Sequence, residues 1–515
     1  MNKSTRTENA LRNILTGVTG QAALLLFSFL CRMVFVRCLS EEYLGVSALF
    51  TNILSMLSLA DLGIGTAIVY ELYKPLAERD EDELASLMKV YATAYKIIGT
   101  VVAIVGVCLI PFLQFLIAEP PNIKENIYVL YLLFLFNTAS SYFFSYKSSI
   151  LTADQKNYIV LLVNYVITIG QNVLQIVLLF VTQNYLLYLI CQIVCTLIFN
   201  FTISAIAGKE YPFIKRKNVK KLSKEKVRRM VTNIKALVIV KISGVLVNSS
   251  DNIIISAIEG LASTGVTSNY TLLSNTLNTL LTQVFSGMSA GIGNVNAVES
   301  KEKKRFMFDV VNLLDFWLFG WCAVAFMILS SDIVRICFGN SYVMELSVVY
   351  IMAVNFYTVG MQNVVWLYKS TLGLFNYGKY LTLITGGINI ILSIILGLKL
   401  GVFGILLATF ISRLLTNIWY DPLAVFKYGF QDNFSEYVKK YLFFAAVLFG
   451  TFGCCYVLSS ILPFSYYANL GIKFVICIII PNAIFYLIFR NTNEFKHLFI
   501  MIQKIVKKIL NKTRH

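Results

Sequence analysis

Residues 159–181 read IVLLVNYVITIGQNVLQIVLLFV, a run without a single charge. A helix needs about 20 mostly apolar residues to cross the hydrocarbon core of a bilayer, so this segment is long enough to span one. It is not uniformly apolar, however. Asn164, Thr168, Gln171 and Gln175 recur at i, i+4, i+7 and i+11, which places them in one narrow stripe of a helix. A membrane helix with such a stripe turns it towards other protein or towards water, because polar groups facing lipid are costly.

The rest of the chain repeats this pattern. Of its 515 residues 57% are hydrophobic and 14% charged, against about 25% charged in an average soluble domain; mean hydropathy is +0.71. Runs long enough to cross a membrane fall at 12–38, 44–70, 90–117, 127–151, 159–181, 185–207, 236–258, 270–294, 309–337, 346–369, 380–398, 402–421, 441–462 and 470–489. The expected fold is therefore an all-α membrane protein of about 14 transmembrane helices. Separation is weakest at Gln183-Asn184 and at Lys399-Leu400-Gly401, where neighbouring spans almost fuse and would reduce the count to twelve or thirteen. The first apolar run is too long for a signal-peptide core and leads to Arg37 rather than to a small-residue cleavage site, so no cleavable leader is expected.

Charge sets the expected orientation. With the N-terminus in the cytoplasm, the inner segments collect about 35 of the 44 Lys and Arg, chiefly between Lys209 and Lys235. The outer side keeps Arg37, Lys124, Arg335, Lys399 and Lys473. The net charge of +17 then matches anionic lipid headgroups and requires no nucleic acid. The basic segment also divides the chain into an expected six-helix lobe at 1–207, a linker at 208–235, a second six-helix lobe at 236–424, two further helices at 425–489 and a tail at 490–515. A faint repeat accompanies this division: Gly45-Val46-Ser47 with Phe50-Thr51 matches Gly265-Val266-Thr267 with Tyr270-Thr271 at equal spacing. In the tail, Phe495, Leu498, Phe499, Ile502, Ile505, Val506 and Ile509 share one helical face and lysines the other, the pattern of an interfacial anchor. The acidic run Glu78 to Glu83 reads as the solvated start of a helix.

Several chemistries are excluded or disfavoured. The two histidines, His497 and His515, lie in the tail, which removes histidine-based catalysis or metal binding inside the membrane. The ten cysteines include several scattered through apolar runs without metal-site spacing and read as buried thiols. Neither a metal nor a cofactor is expected. Function is then sought among polar groups inside the spans, where a charge at the bilayer centre costs at least ~2.5–3.5 kcal/mol. The cations there are Arg32, Lys96, Lys241 and Arg413, and the clearest acids Asp61 and Asp251. Lys96 and Lys241 lie close enough to a span end to extend to the headgroups, while Arg413 sits mid-span. Arg32 and Asp251 lie at similar depth in spans one and seven and are a candidate pair. Asp61 stands in Asp61-Leu62-Gly63-Ile64-Gly65, where bending the helix and contacting a ligand are both open roles. A second polar stripe, Asn275, Thr279, Thr282 and Ser286, is flanked by Asn278 and Gln283; span seven adds Asn248 and Asn252, and span ten Asn355, Gln362, Trp366 and Lys369. Any one stripe is explained as glue between helices. Several together, rich in amides, point to a hydrated cavity, and an excess of cations over acids suits an anionic ligand such as a diphosphate.

Three segments resemble the bacterial polysaccharide transporter family, the O-antigen-type flippases: Tyr43-Leu44-Gly45 leading to Asp61-Leu62-Gly63-Ile64-Gly65-Thr66-Ala67, Ser250-Asp251-Asn252-Ile253-Ile254-Ile255-Ser256 followed by Gly265-Val266, and Gly401-Val402-Phe403-Gly404-Ile405 with Ala408-Thr409-Phe410-Ile411-Ser412. The resemblance implies the multidrug/oligosaccharidyl-lipid/polysaccharide exporter fold, two pseudo-symmetric six-helix lobes about a central cavity with two extra C-terminal helices. It implies transport of an undecaprenyl-diphosphate-linked oligosaccharide across the bacterial cytoplasmic membrane, with both termini inside and no bond made or broken. The implied partners are that lipid-linked substrate, membrane lipids and polysaccharide assembly proteins. A cavity lined by helices one, two, seven and eight maps onto Arg32, Asp61, Lys241 and Asp251 by position; Asn248, Asn275 and Arg413 complete the candidate set. Related lipid II flippases carry an Arg-Asp pair in helix one, and here the residue after Arg32 is Met33. A cation-coupled multidrug exporter shares the fold and is the alternative. A membrane glycan polymerase or ligase would need an outer loop larger than the dozen or so residues available here, and Asp80-Glu81-Asp82 has no domain around it.

Overall fold

The computed structural model describes residues 6–58, 71–72, 75–76, 78–117, 120–154, 156–216, 219, 222, 224–374, 377–378, 380–461 and 465–512, with the side chains of 6–19, 22, 215, 224–248, 287, 290, 291, 297, 502 and 504–512 outside the description. Among the described residues the regular structure is entirely helical. Fifteen α-helices follow in order: α1 Arg6–Cys38, α2 Glu41–Leu57, α3 Glu81–Cys108, α4 Ile127–Ala153, α5 Asn157–Thr182, α6 Tyr185–Glu210, α7 Lys224–Val298, α8 Lys301–Phe338, α9 Leu346–Gly360, α10 Asn363–Thr371, α11 Leu381–Leu415, α12 Asn417–Ala424, α13 Phe434–Ser460, α14 Tyr466–Phe489 and α15 Asn493–Lys512. Nine helical segments among the described residues are long and apolar enough to cross a membrane. The chain is thus the all-α, multi-pass membrane protein expected.

The helix ends follow from local chemistry. Asn126, Asn184 and Asn433 cap α4, α6 and α13, each accepting a hydrogen bond from a backbone N–H in the first turn. Both weak separations in the sequence are true breaks. Gln183 ends α5 in the left-handed region at φ 49°, and Gly401 interrupts α11 at φ 60° and ψ −143°, a conformation suited to glycine. A further break, at Gly260 with φ 86°, divides α7. The tenth expected span is also discontinuous: α9 stops at Gly360 and α10 restarts at Asn363.

Two compact units make up the chain, Met1–Gly265 and Val266–His515. In the first, α5 lies along α1, α4 packs on both α3 and α6, and α6 packs on α5. Small residues permit these approaches: a Cβ on Gly20 would fall 2.1 Å from the Tyr165 ring, and one on Gly106 2.3 Å from Leu135. The repeated glycines meet here as well. A Cβ on Gly45 would sit 1.9 Å from the carbonyl oxygen of Leu261, and one on Gly265 2.1 Å from that of Glu41. Each glycine thus lies against the backbone four residues ahead of the other, a reciprocal crossing that only hydrogen side chains allow.

In the second unit α8 is the central helix, contacting α9, α13, α14 and α15. Its Phe308, Phe316 and Phe319 are fully buried. Phe316 stacks on Phe444 at 4.4 Å between ring centroids and meets Phe485 at 4.9 Å. The C-terminal helix α15 departs in part from the lipid anchor expected of it. Phe495 stacks on Trp317 at 5.6 Å, His497 meets Phe306 edge-on at 5.4 Å and Leu498 is buried, while Phe499 and Ile500 of the same helix remain about half exposed. Its first half is docked on α8.

Candidate functional site

The two polar stripes read from the sequence have opposite environments. On α5 the stripe is packed. Gln175 is 1% exposed, donates to the Tyr188 carbonyl at 3.2 Å and accepts from the Cys31 thiol at 3.8 Å. Gln171 donates to Gln175 at 3.4 Å, Thr168 to Asn164 at 3.4 Å, and the neighbouring Asn172 to Ser28 of α1 at 3.1 Å. Exposed apolar residues, among them Leu162, Val166, Val173, Val177 and Phe180, cover the opposite side. The α5 stripe is chiefly the glue that binds α1 and α6.

On the second half of α7 the stripe is open. Asn275, Thr279, Gln283 and Ser286 are all exposed, and the hydrogen bonds of Thr282 to Asn278 (3.4 Å) and of Ser286 to Thr282 (3.1 Å) stay within the helix. At 100° per residue, Leu280 and Val284 lie on roughly the other side of the helix, and they too are exposed, 43% each. One face is apolar and suited to lipid. The other carries amides and hydroxyls that, among the described residues, no neighbouring helix uses, and such a face belongs with water or a polar ligand.

The remaining candidates are distributed as follows. Arg32 is half-buried on α1, close enough to Cys31, Tyr185 and Tyr188 to act on them electrostatically. Asp251 is half-buried on α7, next to the buried Ser250. Asp61 lies outside the described residues. Lys241 and Asn248 are helical, with side chains outside the description. Lys96 is exposed. Arg413, placed mid-span by the sequence, stands in the last turn of α11, just before the non-helical Thr416, where a cation complements the helix C-terminus. Of the other amides, Asn355 donates to the Leu406 carbonyl at 2.9 Å, tying α9 to α11.

Four buried acids among the described residues escaped the sequence reading: Glu71, Asp315, Asp332 and Asp421. Asp421 accepts from Lys369 at 2.6 Å and from the Trp366 indole at 3.2 Å. Asp332 accepts from Lys473 at 2.7 Å and faces Arg335 at 3.8 Å, so two of the five expected outer cations share one acid. Asp421 and Asp332 thus each bring their own cation. Asp315 is different: it is 0% exposed, and neither carboxylate oxygen completes a hydrogen bond among the described residues. Its signal was in the sequence, an acid in the apolar run Leu313-Leu314-Asp315-Phe316-Trp317 three residues after Asn312. The acidic run near Asp80 is the helix start expected, with Asp80 capping α3 through the Glu83 amide at 2.9 Å; exposed Arg216 then bridges Glu81 and Asp82 at 2.6 and 2.9 Å.

A family profile described as "Polysaccharide biosynthesis protein" matches residues 10–291. Among solved structures, the chain is similar to the lipid II flippase MurJ in an inward closed conformation, at 16% identity and a TM-score of 0.66 over 94% of this chain and 99% of that one. It also resembles an inward-facing multidrug resistance MATE transporter of the MOP superfamily (13% identity, TM-score 0.62, covering 78% and 94%) and a MOP superfamily transporter from Pyrococcus furiosus (13%, 0.54, 84% and 98%). At these identities the likeness establishes the fold. No curated protein sequence matches.

Proposed function

Because the chain belongs to the polysaccharide biosynthesis protein family and has the fold of MurJ and MATE transporters, we propose that it flips an undecaprenyl-diphosphate-linked oligosaccharide across the bacterial cytoplasmic membrane for surface polysaccharide assembly. The observation that carries this reading is the open polar face of α7, Asn275, Thr279, Gln283 and Ser286, set against an exposed apolar face of the same helix. Amides and hydroxyls are the groups that exchange hydrogen bonds with a glycan, while the polyprenyl tail stays in lipid. Arg32, Lys241 and Arg413 are assigned to the diphosphate during an alternating-access cycle, with Asp61, Asp251 and Asn248 as further ligands. Orientation follows the Lys/Arg distribution, with both termini in the cytoplasm.

The test is deletion. Loss of the protein should leave lipid-linked glycan on the cytoplasmic face and remove surface polysaccharide, and normal surface polysaccharide would reject the reading. A MATE-like fold keeps multidrug export as the second reading; resistance on overexpression without a polysaccharide defect would favour it.

A further inference from the structure

Asp315 lies on the stripe Phe308, Asn312, Asp315, Phe319 of α8, bounded by two aromatic contacts that fix where it points. At one end Phe308 meets Tyr368 of α10 at 5.1 Å; at the other Phe319 fills the space beside Gly360, where a Cβ would fall 2.1 Å from its ring. Between them Asp315 faces the interruption that separates α9 from α10, and the Val364 N–H points towards its carboxyl without completing a hydrogen bond. The neighbourhood is polar and unsatisfied. Asn312 Oδ1, both polar atoms of Gln362 and the hydroxyls of Tyr357 and Tyr437 are buried without a hydrogen-bond partner among the described residues.

An ionised carboxylate with no paired cation in such a place costs several kcal/mol, and a group so placed takes up a proton instead. Among the described residues no group of three or more His, Cys, Asp or Glu that could hold a metal ion occurs, whereas a proton needs no ligand shell. We propose that Asp315 is a proton-binding site of the second unit, and that its proton is the ion coupled to transport. The inference rests on the transporter reading for the coupling alone. In the chemical step the carboxylate takes H⁺ from water and later returns it to water; only an O–H bond forms and breaks. When α9 and α10 shift at their break, the free N–H groups at the α10 N-terminus receive the carboxylate charge.

The groups facing this site are Tyr357 on α9, Gln362 and Val364 at the break, and Tyr437 and Tyr441 on α13. From α14, Phe485 and Phe489 close the side beyond Phe316. The nearest charges along α8 belong to Asp309, which pairs with Arg305 and with Lys440 at 3.3 Å each, and Lys440 also holds Glu494 of α15 at 2.7 Å. Asp309 precedes Asp315 by six residues, about 9 Å along the helix. In this proposal the half-buried cluster, which reaches solvent at the exposed Glu436 beside Arg305, is the end from which a proton passes to Asn312 and the tyrosines.

Infrared spectroscopy of the full-length protein in nanodiscs at neutral pH tests the site directly. The wild type should show a carboxylic-acid C=O stretch that Asp315→Asn removes, unchanged when Na⁺ replaces choline. In cells Asp315→Asn should lower surface glycan at least tenfold at unchanged protein level and melting temperature, with Asp315→Glu restoring export at a displaced pH profile. Absence of the band, or its loss on adding Na⁺, overturns the proton site; wild-type export by Asp315→Asn overturns the coupling. Failure of the glycan reading is distinguishable, because export of glycan would then be independent of the wild-type protein while the band persists.

Discussion

The stripes on α5 and α7 are spelled almost alike, yet one is consumed by packing and the other is left open. Gln175 and Asn172 are occupied by Tyr188, Cys31 and Ser28, whereas Asn275, Thr279, Gln283 and Ser286 face outward. Periodicity identifies a polar face but not what covers it. A membrane helix directs its amides at whichever polar environment is present, and a neighbouring helix serves as well as water.

The packed side of this contrast breaks most sharply at its backbone crossings. Gly45→Leu should destabilise by about 3 kcal/mol or more, since the first side-chain carbon would fall 1.9 Å from the Leu261 carbonyl oxygen, and backbone cannot yield as a flexible side chain can. Gly265→Leu should match it. Thermal unfolding in detergent measures both, and a melting temperature equal to the wild type for either would show that the crossing does not hold the unit together.

Next in size come the stripes themselves. Gln175→Leu and Asn172→Leu each remove a buried partner and should cost roughly 1–3 kcal/mol. Asn275→Leu and Thr279→Leu should change stability by less than about 0.5 kcal/mol, the usual range for exposed positions, while reducing surface glycan. The reverse order, stable α5 variants and unstable α7 variants, would invert the comparison.

Much of the fold was legible because hydropathy and chain reversal are local properties. Even the fused pairs of spans separated where the sequence was weakest, at Gln183 and Gly401, through left-handed backbone. The repeat around Gly45 and Gly265 was visible as letters, and its meaning as a reciprocal backbone contact needed coordinates. The site was less legible. Arg413 read as mid-span because its helix break at Thr416 carries no Gly or Pro. The acids Asp421 and Asp332 were missed because their cations, Lys369 and Lys473, come from distant segments that only tertiary packing brings near.

The smallest predicted effect concerns the tail. Burial alone would raise the Glu494 carboxyl, but the hydrogen bond from Lys440 and the first-turn amides outweigh it and hold it below the usual carboxylate range. A lowered folded value stabilises the docked α15 above the unfolded carboxylate range and loses that contribution as pH falls through the folded value. With Glu494 22% exposed, the contribution is about 1 kcal/mol or less. The protection factors of the α15 amides, corrected for the pH dependence of intrinsic exchange, should therefore fall on acidification, and Glu494→Gln should abolish that fall.

The account turns on whether the open face of α7 meets water. Single cysteines at Asn275, Thr279 and Gln283, and at Gln171 and Gln175, in a background with the ten native cysteines replaced by serine, can be treated in membranes with a water-soluble maleimide. Rapid labelling at the α7 positions with protection of both α5 positions is the predicted result. Equal labelling of the two stripes, or none at α7, would contradict it.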